Sequence, residues 1–261
     1  MRTLKITGIL ILWCCIFTAH AQNSRSFYYL IKKKDIDEGK LRIIYRTPDG
    51  TVKPIRMCYS VLKAEDLHIS NGVPAFHFET IPSTQYDSIN DCISNSTPLG
   101  QFEIDVAKRK IGDKNIIAKI PFRAWNWGIS FIPYRMRFQQ DSIPLTSDSK
   151  VELSFMYGYT SGFAKINHES ITHYYFTGSA FLGLSTAKLQ KETVTNPQAL
   201  TRNQDNVALS YGVNAMFGRN NFGISLSLGF DVSVGKNSDL WIYQNKPWLG
   251  IGVSTNLGLL K

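Results

Sequence analysis

From Phe222 to Val234 the chain alternates without a break. Phe222, Ile224, Leu226, Leu228, Phe230, Val232 and Val234 are apolar, and Gly223, Ser225, Ser227, Gly229, Asp231 and Ser233 between them are small or polar. A side-chain period of two marks a β-strand with one oily and one wet face. Thirteen residues is long for a strand in a soluble domain, where five or six is usual. At roughly 3.3 Å per residue and a tilt near 40°, the segment rises about 33 Å, enough to cross membrane hydrocarbon.

Five further segments share this pattern. Ala124 to Arg137 sets Trp125, Trp127, Ile129 and Phe131 against Asn126, Gly128 and Ser130. Val151 to Gly162, Thr172 to Lys188, Val207 to Phe217 and Trp248 to Leu259 alternate in the same way. The links between them differ in length. Gly218 to Asn221 is a tight hairpin, and Phe163 to Ile171 is moderate. Gln139 to Lys150, Leu189 to Asn206 and Gly235 to Pro247 are longer and more polar. Antiparallel membrane barrels have this asymmetry, with short turns at one end and long loops at the other.

The first 21 residues have the form of a signal peptide. Arg2 and Lys5 precede an uncharged, mostly apolar run from Ile6 to Thr18, and Ala19-His20-Ala21 forms the cleavage pattern. Later in the chain no apolar run is long enough for a transmembrane helix. Beyond the signal, Cys58 and Cys92 remain, and an exported chain with two cysteines is expected to join them as a disulfide. The net charge of +9 is spread along the chain and does not resemble a nucleic-acid-binding face.

With its closing segment Trp241-Ile-Tyr-Gln-Asn-Lys-Pro-Trp-Leu-Gly-Ile-Gly-Val-Ser-Thr-Asn-Leu-Gly, the chain resembles the small outer-membrane β-barrel proteins of Gram-negative bacteria over about residues 121–261. The usual terminal aromatic residue of that family is replaced here by Leu259-Leu260-Lys261. The expected organisation is a signal peptide over 1–21, an N-terminal β-rich periplasmic extension over 22–120, and an all-β antiparallel transmembrane barrel over 121–261. Such barrels have an even number of strands, eight or more. Two strands are therefore expected from upstream. The favoured pair is Phe102 to Val106 with Ile116 to Phe122, and the rival is the hairpin of 41–46 and 52–61.

The alternation assigns provisional roles. Glu152 and Asp231 fall on the wet face and need cationic partners in a narrow lumen, with Arg123, Arg135 or Lys150 as candidates. Trp125, Trp127, Tyr157, Trp241 and Trp248 lie near strand ends and are expected in aromatic girdles at the membrane boundary. The small inward residues would leave space along the axis. His168-Glu169-Ser170 is the one stretch approaching a hydrolase pair. No zinc spacing and no phosphate loop is present in the sequence, and no cofactor is expected. The expected role is an outer-membrane anchor that contacts lipid and docks an envelope protein partner, not an enzyme. The alternatives are a narrow transport or ligand-binding barrel, a lipid-modifying enzyme, and a soluble periplasmic barrel.

Overall fold

The computed structural model describes residues 28–46, 50, 52–54, 61–70, 73–78, 101–104, 118–138, 146–148, 151–167 and 170–257. The signal segment, Cys58, Cys92, His168 and Glu169 lie outside the described residues. In chain order the elements are β1 (Tyr28–Lys32), α1 (Lys33–Asp37), β2 (Ile43–Arg46), β3 (Val52–Pro54), β4 (Val61–Ser70), β5 (Val73–Phe78), β6 (Gln101–Ile104), β7 (Ala118–Arg137), β8 (Thr146–Asp148), β9 (Glu152–Ile166), β10 (Ile171–Leu189), β11 (Gln204–Arg219), β12 (Phe222–Val234) and β13 (Pro247–Asn256).

The six alternating segments form β7 and β9 to β13, and every neighbouring pair among them is antiparallel. β13 then pairs directly with β7, Trp248 opposite Arg137 and Asn256 opposite Gly128, so the ring closes through six strands. The expectation of eight ring strands is corrected here. Ile116 to Phe122 does not supply a separate strand, because residues 118–122 are the start of β7. The short β6 pairs with β2 and β5, outside the ring. The rival hairpin, β2 with β3, also forms outside it.

A ring this narrow needs small side chains inside, and its inward rows supply them. A methyl group added at Gly158 would come within 2.2 Å of the Gly178 carbonyl oxygen. One added at Gly128 would reach 2.1 Å from the Thr255 carbonyl oxygen. By contrast Gly178, on the outward row, has nothing within 4 Å of such a methyl. The small residues therefore do not leave an open lumen. They make room for the few large side chains that fill it: Trp248, Arg135, Phe181, Ile132, Met156 and Met216, all buried.

One irregularity sets the chemistry of the interior. Along β7 the even positions point inward as far as Ile132, and then Pro133 and Tyr134 are both exposed. On the facing strand Ile251 pairs with Tyr134 but Val253 pairs with Phe131, so Gly252 opposes two residues. This is a β-bulge, a position that tolerates proline because the ladder is already interrupted. A methyl on Gly252 would lie 2.3 Å from the Phe131 carbonyl oxygen, so only glycine fits the close approach. Past the bulge the parity flips, and Arg135 and Arg137 turn inward.

The edge of β7 that meets β13 is shared. Its early residues pair with β1, Tyr28 opposite Arg123 and Tyr29 opposite Phe122. The sheet continues from β1 through β4, β5, β6 and β2 to β3. One apolar cluster runs across the junction. It includes Ile31, Ile43, Ala64 and Phe76 from the N-terminal sheet, Phe122, Ala164 and Ile166 at the junction, and Tyr175, Met216 and Trp248 inside the ring. The N-terminal sheet is thus built onto the end of the ring that carries the short turns.

Candidate functional site

The interior of the ring at its long-loop end holds a charged cluster. Arg135 donates from Nη1 to Glu152 Oε2 at 3.0 Å and to Asp231 Oδ2 at 3.2 Å. Arg137 donates from Nη2 to Asp231 Oδ2. Ser210 Oγ donates to Asp231 Oδ1 at 2.7 Å, and the Trp248 indole N–H donates to the same oxygen at 2.8 Å. All four charged side chains are buried. The guanidinium of Arg135 stacks 5.1 Å from the Trp248 ring, and that of Arg137 lies 5.2 Å from Trp241 and 4.7 Å from Tyr243. Two cations thus face two anions, and an aromatic ring lies against each guanidinium, while Arg135 Nε and Nη2 and Arg137 Nη1 are buried without a hydrogen-bond partner. The pairing offsets part of the large desolvation cost of four buried charges.

The chain covers this cluster from outside. Val194, Leu200, Trp241 and Tyr243 from the two longer loops pack with Leu189 and Ala208 in a second apolar cluster. Short 3-10 turns at Lys191–Thr193, Pro197–Ala199 and Ser238–Leu240 shape this cap, and an isolated bridge joins Val194 to Trp241.

Toward the short-turn end the polar interior is neutral. Asn126 Nδ2 donates to Thr160 Oγ1 at 2.9 Å, and Thr160 Oγ1 shares a 2.6 Å hydrogen bond with Thr177 Oγ1. Ser254 Oγ donates to Ser130 Oγ at 2.7 Å, and Asn214 Nδ2 to Ser227 Oγ at 2.8 Å. Below them Tyr29 of β1 shares a 2.8 Å hydrogen bond with His173 Nε2, and Phe122 packs edge-on to the imidazole at 5.4 Å.

Glu152 and Asp231 both belong to the cluster, with Arg135 as their shared partner. Arg123 does not: it is exposed on the outward row, in phase with Trp125 and Trp127. Pro133 is the sequence signal of the bulge that turns Arg135 and Arg137 inward. Trp125, Trp127 and Tyr157 are exposed on the outer wall, and Trp125 stacks on Tyr157 at 5.8 Å. Trp241 and Trp248 are buried inside, a correction to their expected place in a girdle. Trp248 shares the inward phase of Gly250, Gly252 and Ser254, and nearness to a strand end does not override that parity. Ser170 is exposed at the short link between β9 and β10.

Among the described residues no group of three His, Cys, Asp or Glu side chains is placed to share a metal ion, and no helix is long and apolar enough to cross a membrane. The latter says nothing of a β-barrel. No protein-family model, curated protein or solved structure matches the chain. What the interior geometry can do is hold the ring shut, since the large buried side chains of the described residues fill its axis.

Proposed function

We propose that the ring is a transmembrane β-barrel of a bacterial outer membrane, and that it anchors the N-terminal sheet on the periplasmic side. The observation that carries this reading is the outer wall. Among the described residues, every strongly exposed large apolar side chain except Val61 lies on the six ring strands or immediately beside them, from Trp125 through Leu184 and Phe217 to Val253. Between Arg123, Lys165 and Arg219 at one end and Lys188 and Asp205 at the other, no described outward residue of the ring is charged. On β10 this uncharged band runs from Phe176 to Thr186. At a tilt near 40° it is about 28 Å tall, close to the height of a barrel's lipid-facing band. A soluble monomer rarely exposes more than a few hundred Å² of continuous apolar surface.

The orientation follows from the links. The turns at 167–170 and 220–221 are short, and the N-terminal sheet joins the same end. Short turns face the periplasm in outer-membrane barrels. An anchor fits the interior better than a channel does, since the charged cluster and the aromatic cap close the axis.

The test is expression of the full chain with its own leader, followed by fractionation and gel migration with and without boiling. The expected outcome is recovery in the detergent-extracted envelope fraction with a band that shifts on heating. A chain that stays dispersed and monomeric in detergent-free buffer would refute the reading. Planar-bilayer recordings of the folded protein are expected to be flat.

A further inference from the structure

The ring strands contain three acidic residues among those described, Glu152, Asp205 and Asp231, and all three lie in the half nearer the long loops. In the half nearer the short turns the charged residues are Lys119, Arg123, Lys165 and Arg219, all basic. Lys119 lines a cleft shared with Asp35 of α1 and Lys40 just after it. Arg219 sits elsewhere, at the rim of an open apolar groove of about 600 Å³ on the outer wall. That groove is lined by Tyr174, Phe217, Phe222, Ile224 and Val253. Ile224, Phe217 and Phe222 are the three most exposed large apolar side chains among the described residues, at 69%, 67% and 63%. The Arg219 guanidinium rests 5.6 Å from the Tyr174 ring, which directs it along the wall at the groove's edge.

From this arrangement we infer a binding site for an anionic glycerophospholipid at the short-turn end of the barrel. The acyl chains lie along Phe217, Phe222, Ile224 and Val253. The headgroup phosphate meets Arg219, and the basic collar continues around the wall through Lys165 and Arg123. Charge complementarity selects the occupant. A zwitterionic lipid gains little from a collar whose described ring-strand charges are all basic, whereas an anionic one gains about a fivefold preference for each basic side chain near the surface. A free phosphate ion would leave the exposed aromatic groove uncovered. The guanidinium suits the headgroup because its planar donors match phosphate oxygens.

This inference rests on the barrel reading, and the experiment separates the two. The folded full chain is placed in nanodiscs of mixed phosphatidylglycerol and phosphatidylcholine, released into mild neutral detergent, and its retained lipid is measured by native mass spectrometry. The expected result is enrichment of phosphatidylglycerol over phosphatidylcholine by about fivefold or more. Arg219→Gln is expected to remove most of that enrichment and Arg219→Lys to keep much of it, while Lys236→Gln at the opposite end leaves it unchanged. Equal retention of the two lipids overturns the inference, as does displacement of phosphatidylglycerol by inorganic phosphate. If Arg219→Gln does not fold, judged by its heat-shifted band, the wild-type lipid ratio and its response to salt decide the matter. Failure of the wild-type chain to enter the nanodiscs at all would count against the barrel itself.

Discussion

At the long-loop end, the barrel axis carries two guanidiniums, two carboxylates and two indoles within one hydrogen-bonded and stacked cluster. At the short-turn end it carries hydroxyls, amides and an imidazole. The ends also meet different neighbours. A cap made by the chain's own loops covers the first, and the second merges into the N-terminal sheet through Tyr29, Phe122 and His173. Charges far from bulk water must be balanced by one another, so the first end is an all-or-none device. Neutral hydrogen bonds can be lost singly at moderate cost, so the second end tolerates a junction.

The difference is open to direct attack, first at the charged end. Asp231→Ala removes the acceptor shared by Arg135, Arg137, Ser210 and Trp248 and leaves a net positive charge buried. The expected loss is about 3–5 kcal/mol, read from urea unfolding of the protein in lipid vesicles. If Asp231→Ala is near neutral, the cluster is hydrated rather than sealed.

A steric test comes next and applies to the ring as a whole. Gly158→Ala places a methyl against the Gly178 carbonyl oxygen and should cost about 1–3 kcal/mol or prevent closure, seen as loss of the heat-shifted band. Gly178→Ala, on the outward row of the adjacent strand, should fold as the wild type does. Equal effects of the two would show that the six-strand closure is wider than described.

At the neutral end Thr160→Val removes a hydroxyl that bonds Asn126 and Thr177 and leaves those groups short of a partner. About 1–3 kcal/mol is expected, less than for Asp231→Ala, by the same unfolding measurement. A loss as large as that of Asp231→Ala would erase the proposed distinction between the ends.

Much of this architecture is legible in residue order. The six ring strands follow from alternation, because a strand's side chains must point to opposite faces. The orientation of the links follows from their lengths, and the placement of Glu152 and Asp231 inside follows from phase alone. The number of strands in the ring does not. Closure through six depends on whether β13 meets β7 or an upstream strand, a long-range pairing that no local pattern encodes. Arg135 is legible as a candidate partner of the two acids, but its inward turn, and the presence of Arg137 beside it, are not, for a related reason. Read straight through, Arg135 and Arg137 share the phase of Trp125 and Trp127 and would point outward. Only the paired strands show that Gly252 opposes two residues, and that one-residue slip carries both guanidiniums inside. Trp241 and Trp248 teach the same point. Their chemistry suits a membrane boundary or a cation's face equally well, and the choice was made by the parity of β13 and by the loop packing that brings Trp241 over Arg137. Local periodicity determines which face a residue occupies. Register between strands, a property of the closed ring, determines what it meets there.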